Sequence, residues 1–141
     1  MANPANSTAY RLPDGRLAVN VTEAKTLAAT DCGYVQNVIY ASGVVTVPAT
    51  ATQGRWVVRN GGVPATGGAA GTGSDGNLIE VDCNGSDTMQ GLNVSGTASD
   101  GKKLSNTAAT AKVGDEIVIT NTGNTDGPII GDVKGIWARE A

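Results

Sequence analysis

The sequence predicts an all-β protein in which about eight short strands form an antiparallel β-sandwich or jelly roll. The composition is the first observation: 20 of 141 residues are glycine, phenylalanine is absent, and Thr, Val and Asn recur throughout. Thr and Val suit pleated strands, while Gly and Asn suit turns that need positive φ. The second observation is that short apolar runs are separated by turn signals, which leaves little room for crossover helices. The length fits one domain.

The N-terminal part of the chain is predicted to differ from the rest. Residues 1–30 read as an extended arm, and residues 31–141 as the jelly-roll domain. The run PDGR at residues 13–16 lies between two apolar runs. It predicts a small hairpin within the arm, because Pro presets φ and Gly accepts the left-handed conformation. Residues 22–29 fit two turns of helix with Thr22 as the cap.

The predicted strands of the body are short apolar or alternating runs, each bounded by Gly, Asn, Asp or Pro. They cover residues 33–41, 44–48, 54–60, 77–83, 88–94, 102–105, 116–120 and 131–139. The run at 44–48 either continues the preceding strand or pairs with it. In residues 77–83 the alternation is clean, with Ile79 and Val81 on one side and Glu80 and Asp82 on the other.

The run GGVPATGGAAGTGSDG at residues 61–76 joins two of these strands. Loops of this length inside a compact domain are usually functional or disordered, and Gly-rich composition favours flexibility. Two interpretations follow, a contact loop that orders on assembly and a mobile connector. The GxGxxG match at residues 71–76 is not followed by a helix, so it does not indicate a phosphate site.

Charge and hydropathy argue against two classes of partner. The chain has 10 basic and 13 acidic residues, a net charge of −3, whereas nucleic-acid binding normally needs a basic stripe. No apolar run is long enough to cross a bilayer, and the N-terminus lacks the basic start and apolar core of a signal peptide. We therefore expect no nucleic-acid partner, no membrane partner and synthesis in a cytoplasm.

The residue inventory also argues against catalysis. The sequence has no histidine, which removes the commonest general base and imidazole metal sites. Cys32 and Cys83 have no metal-ligand spacing and read as small buried apolar residues, with a disulfide as the alternative in an oxidising setting. Residues 82–87 loosely match a calcium loop but lack its terminal Glu. We predict no catalytic residue, no metal and no cofactor, and hence no enzyme.

The two tryptophans, Trp56 and Trp137, lie beside apolar residues and are predicted to pack in the core or between subunits. A carbohydrate-binding sandwich would instead present a row of exposed rings. The poverty in aromatic residues, 4% of the chain, counts against that function.

Five segments along the body follow a pattern of phage head and tail β domains. They are GRWVVRN at 54–60, NLIEVDC at 77–83, NGSDTMQG at 84–91, VGDEIVIT at 113–120 and GIWARE at 135–140. Over residues 31–140 the sequence resembles the cement (decoration) proteins of tailed bacteriophages, and among them those of Bordetella phages. The resemblance implies a jelly-roll subunit made in the bacterial host cytoplasm and carried on the capsid exterior of the virion. Its implied partners are the major capsid protein and itself, as a homodimer or homotrimer, and it implies no catalytic residues.

A hypothesis for the contacts with the capsid and with other subunits follows. Apolar anchors come from the arm and from the run after Pro128, and two arginines meet acidic capsid groups. The residues are Tyr10, Arg11, Leu12, Arg16, Leu17, Ile129 and Ile130. The alternatives are a tail, baseplate or fibre β-domain, a carbohydrate-binding module, and an enzyme built on an unrecognised carboxylate pair.

Overall fold

The computed structural model describes residues 8–40, 43–62, 78–91, 103–107 and 110–139. The elements there are strands, apart from a single 3₁₀ turn at Ala29–Asp31. The strands are β1 Tyr10–Arg11, β2 Leu17–Val21, β3 Lys25–Thr26, β4 Val35–Val38, β5 Gly43–Thr46, β6 Gly54–Asn60, β7 Ile79–Asp82, β8 Lys103–Asn106, β9 Glu116–Asn121, β10 Ile129–Lys134 and β11 Ala138–Arg139.

Two sheets pack against each other and confirm the all-β sandwich. One sheet has the order β1-β2-β4-β6-β9-β10, and the other has the order β11-β8-β7-β5-β3. Their facing sides form one core, in which Trp56 from the first sheet and Ile79 and Leu104 from the second are fully buried. Trp137 belongs to the same core, as predicted.

The expectation of antiparallel pairing throughout is wrong. Four of the nine described strand pairs are parallel: β2 with β4, β4 with β6, β3 with β5, and β5 with β7. The cause is that consecutive strands from β2 to β7 alternate between the two sheets. Each return to a sheet therefore places the new strand beside the earlier one in the same direction. The strand predicted at 44–48 accordingly neither continues nor pairs with the strand before it, since β4 and β5 lie in different sheets.

The hairpin predicted around residues 13–16 is confirmed, because β1 and β2 pair antiparallel across it. The boundary predicted at residue 30 needs correction. Strand β2 lies inside the six-stranded sheet, and Val19 and Val21 are 5% and 3% exposed. Residues 8–30 are therefore part of the sandwich, and residues 1–7 lie outside the described residues.

The helix predicted at residues 22–29 is wrong, because strand β3 occupies this segment. The Leu27 side chain lies in the core at 2% exposure, and its backbone N–H donates to the Thr46 carbonyl at 2.9 Å. Burial and pairing with β5 override the local helix propensity.

The remaining strands follow the sequence pattern with two differences. The run 131–139 divides at Gly135 into β10 and β11, which belong to different sheets. Of the run predicted from residue 88, the described part (residues 88–91) forms an isolated bridge between Gln90 and Ile129. Residues 92–94 and most of the Gly-rich loop, residues 63–76, lie outside the described residues.

A buried polar network, formed by Asn60, Asn106 and Asp115, joins the two sheets at one end of the core. Asn60 on β6 donates from Nδ2 to Asn106 Oδ1 on β8 at 2.6 Å. Asn106 Nδ2 in turn donates to Asp115 Oδ2 at 2.9 Å and to the Ile136 carbonyl at 3.0 Å. Pairing buried polar groups in this way avoids the cost of leaving them unsatisfied. We call these three residues the inner network.

Cys32 and Cys83 are not joined to each other by a disulfide. Cys83 is 5% exposed within the core, and Cys32 is partly buried against it. The reading of both as small packed residues therefore holds, with Cys32 closer to the surface.

Candidate functional site

The outer face of the six-stranded sheet carries a continuous polar row. Its members are register partners on five neighbouring strands, and such partners point to the same side of a sheet. They are Asn20, Asn37, Arg59, Glu116 and Lys134. We call this set the outer row.

One half of the outer row is joined by hydrogen bonds between side chains. Tyr10 on β1 donates its hydroxyl to Asn20 Oδ1 at 2.5 Å. Asn37 Nδ2 donates to Asn20 Oδ1 at 3.2 Å and to the Tyr10 hydroxyl at 3.1 Å. Arg59 Nη1 donates to Asn37 Oδ1 at 2.9 Å. Four strands are thus tied together across their surface.

The other half is organised by Glu116, whose side chain is only 9% exposed. Arg16 donates to both of its carboxylate oxygens, from Nη1 to Oε2 at 3.0 Å and from Nη2 to Oε1 at 2.5 Å. A second guanidinium approaches from Arg59, with Nε 3.7 Å from Oε1. The bidentate contact between Arg16 and Glu116 is the strongest kind of side-chain ion pair. It fixes the β1–β2 hairpin to β9.

Arg16 also holds Asp14 within the hairpin turn. Its Nε donates to Asp14 Oδ2 at 2.9 Å, and its backbone N–H donates to Oδ1 at 3.0 Å. The hydrogen bonds to Glu116 and then to Asp14 raise the pKa of Arg16 above its usual value. The side-chain hydrogen bond from Arg16 likewise lowers the pKa of Asp14. The charge of Arg16 is therefore already matched within the chain.

An apolar row lies beside the polar one on the same face. Ala18, Val35, Val57 and Val118 are register partners on successive strands. Leu12, at 8% exposure, packs over Ala18 and Val35. Val57 is only half-buried, so the apolar surface remains open at the middle of the sheet.

Two adjoining depressions cross this open part of the face, and we call them together the sheet groove. They share Arg16, Arg55 and Val57 in their linings. The larger has a volume of about 450 Å³ and is lined in addition by Glu116, Val118, Asp132, Val133 and Lys134. The smaller has a volume of about 160 Å³ and is lined in addition by Leu17, Gly33, Tyr34 and Val35.

The charges along the groove are unequally matched. Arg16 and Glu116 neutralise one another. Arg55 is exposed, and within the described ranges no carboxylate lies within ion-pair distance of it. At the larger end, Lys134 likewise has no described carboxylate within ion-pair distance, and Asp132 has no described basic group within that distance. An unmatched guanidinium beside a half-buried valine is suited to bind a carboxylate and an apolar group together.

Two of the residues predicted as partner contacts are buried instead. Leu12 is 8% exposed beneath the hairpin, and Ile130 is 5% exposed within the core. Exposing Leu12 would require the β1–β2 hairpin to lift from the sheet, and exposing Ile130 would require the sandwich to open. Both residues stand in short apolar runs beside turns, where local sequence does not distinguish an exposed anchor from a buried position.

The other predicted contacts lie at or near the outer face. Arg16 and Leu17 line the sheet groove. Ile129 on β10 pairs with Thr120 on β9, and Thr120 in turn pairs with Arg55 on β6. The Ile129 side chain is half-buried. Tyr10 and Arg11 lie on edge strand β1, where Tyr10 is 37% exposed and joins the outer row, and Arg11 donates to the Gly15 carbonyl at 2.9 Å. Their contact with a partner remains a prediction.

Sequence reasoning missed Arg55 and Val57. The signal was available in GRWVVRN, because Trp56, Val58 and Asn60 alternate inward and their neighbours must point outward. The sequence does not show that Arg16, from the turn between β1 and β2, lies beside these residues of β6.

The described residues show no group of three or more cysteines or acidic residues placed to hold a metal ion. They also include no helix with the length and apolar character needed to cross a bilayer. Both tryptophans are buried and donate from Nε1 to backbone carbonyls, Trp56 to Ala28 at 2.9 Å and Trp137 to Lys134 at 3.0 Å. Of the described aromatic side chains, Tyr10 is the one classed as exposed.

Comparisons of the chain with protein-family models, with curated proteins and with solved structures found no match. The function is therefore argued from the sequence pattern and from the outer face of the six-stranded sheet.

Proposed function

We propose that this chain is a structural virion protein, a cement subunit that binds the outer surface of a tailed-phage capsid and stabilises joints between major capsid proteins. The observation that carries the proposal is the open outer face of the six-stranded sheet. There an apolar floor at Val57 and an unmatched Arg55 lie side by side in the sheet groove. No described element of the chain covers this part of the face.

The character of the groove favours a protein partner over a small molecule. Small-molecule sites are mostly concave and apolar, with a few convergent polar groups. The sheet groove instead combines four valines with five charged side chains along its length. Partially apolar surfaces rimmed by charge are typical of interfaces between proteins.

The segments that carry the resemblance to phage cement proteins lie mainly in the framework. GRWVVRN is strand β6, NLIEVDC contains β7, and VGDEIVIT covers all of β9 except its last residue. The likeness therefore concerns residues that build the two sheets, and the contacts come from the outward-facing side chains of these strands, such as Arg55 and Val57 in GRWVVRN. A cement subunit that touches several capsid proteins gains avidity, so modest contacts at each site suffice for retention.

Sedimentation of the purified protein with empty shells of the phage that encodes it tests this proposal. Saturable binding, with copies per shell comparable to the number of major capsid proteins, is the expected result. A few copies per virion, confined to tailed particles, would instead support a tail or baseplate subunit. No binding to shells or virions would contradict the proposal, and a glycan array would then examine the carbohydrate-binding alternative.

A further inference from the structure

We infer that the sheet groove binds an extended, acidic segment of the partner in which a carboxylate side chain lies next to one large apolar side chain. The inference rests on the proposed function and deepens it, because it specifies which chemistry on the capsid this face recognises. The two ends of the groove supply separate arguments for the two side chains.

The smaller end of the groove has room for one apolar side chain. Its volume is about 160 Å³, and Leu17, Tyr34, Val35 and Val57 supply apolar atoms to its lining. A protein cavity of about 150 Å³ lined by apolar side chains holds a benzene-sized molecule. One aliphatic or aromatic side chain therefore fits this end, and several do not.

The junction of the two ends has the donor for a carboxylate. Arg55 belongs to both linings and has no matched acidic group among the described residues, whereas Arg16 is already bound to Glu116 and Asp14. A guanidinium offers several donors in a planar fork that fits a carboxylate. Arg55 and Val57 lie in both linings, so the site for the carboxylate adjoins the site for the apolar group. The two groups therefore come from the same short segment.

The balance of charge along the groove also selects against a basic segment. Three basic side chains, Arg16, Arg55 and Lys134, line the larger end with two acidic ones, Glu116 and Asp132. The local balance is positive, in a chain whose net charge is −3. A basic segment would bring like charges against Arg55 and Lys134, and such contacts disfavour wrong partners.

The first test compares two variants that each remove one positive charge, Arg55→Gln in the groove and Lys103→Gln on the other sheet. Titration of shells by sedimentation should give roughly tenfold weaker binding for Arg55→Gln, since truncating a charged interface contact typically costs this much or more. Lys103→Gln should bind like the natural chain. Thermal melting should be nearly unchanged for Arg55→Gln, because its side chain is exposed and makes no ion pair in the described structure.

The outcomes separate the inference from the proposal on which it rests. If the natural chain saturates shells and Arg55→Gln binds equally well, the inference is wrong and the cement function stands. If the natural chain binds no shells, both are overturned.

The second test identifies the occupant. A photoreactive benzoylphenylalanine replaces Asp132, which is exposed and lines the larger end, and a control carries it at Val113, which is 42% exposed elsewhere. Irradiation of decorated shells should link position 132 to a capsid peptide in which Asp or Glu adjoins a large apolar residue. A link to a neutral or basic capsid peptide, or to another copy of this chain, would overturn the inference.

Discussion

The inner network and the outer row use similar side chains for opposite purposes. In the inner network Asn60, Asn106 and Asp115 are all buried, and their hydrogen bonds run from one sheet to the other. In the outer row Asn20 and Asn37 make comparable amide contacts, but these stay within one sheet, and Asn20 is exposed while Asn37 is 7% exposed. Asparagine therefore joins layers in one place and neighbouring strands in the other.

The charges on the outer face are themselves unevenly matched. Glu116 is enclosed by the guanidinium groups of Arg16 and Arg59, so this part of the outer face has little attraction left for a partner. Arg55 lies on the same strand as Arg59, yet the described residues offer it no carboxylate within ion-pair distance. The sheet thus matches one arginine internally and leaves the other without a carboxylate among the described residues, which is consistent with the proposed function.

The largest expected effect on the free energy of unfolding comes from comparing the same Asn→Ala substitution in the two networks. Asn106→Ala should lower the free energy of unfolding by about 2–5 kcal/mol, because it removes the acceptor of Asn60 Nδ2 and a donor to Asp115 and leaves a small cavity. Asn20→Ala, at an exposed position of the outer row, should cost about 1 kcal/mol or less. Urea unfolding of both variants measures the difference. Equal losses would show that burial does not distinguish the networks.

A smaller effect is expected from Glu116→Gln, which keeps the shape of the side chain and removes its charge. Arg16 and Arg59 then lose their shared counter-ion at a position that is only 9% exposed, and we expect a loss of about 1–3 kcal/mol. The loss should shrink in high salt, where the exposed arginine side is screened. A variant as stable as the natural chain at low ionic strength would contradict the assigned role of this carboxylate.

The smallest effect concerns pH and Asp14. Its folded pKa is lowered by Arg16, so it adds stability above the unfolded value of about 3.9 and loses that contribution as the pH falls through the lower folded pKa. The advantage of the natural chain over Asp14→Asn should therefore be small at neutral pH, since surface pairs contribute little, and should vanish in acid. Unfolding measured from about pH 6 to about pH 2 checks this. An advantage that grows in acid would contradict it.

Much of the local structure was predictable, because it depends on patterns that neighbouring residues share. The run PDGR predicted the hairpin, and the alternation in NLIEVDC predicted which side chains of β7 face the core. The predicted helix at 22–29 failed where a single core residue, Leu27, decided the outcome.

The arrangement of strands and the groove were not predictable in the same way. A short apolar strand has the same pattern in either sheet, so the sequence did not indicate that the chain alternates between sheets and pairs in parallel. In the folded chain Arg16 lies on the face built by β6 and β9. The contact of Arg16 with Glu116 joins positions 100 residues apart. Contacts of this kind depend on the finished fold.

The most direct test of the proposed function is a reconstruction, by electron cryomicroscopy, of shells saturated with this protein. The outer face of the six-stranded sheet should lie against the capsid, with Arg55 at ion-pair distance from a capsid carboxylate and the smaller end of the groove filled by one apolar side chain. A map in which this face points to solvent while another surface of the subunit holds the shell would contradict the central claim.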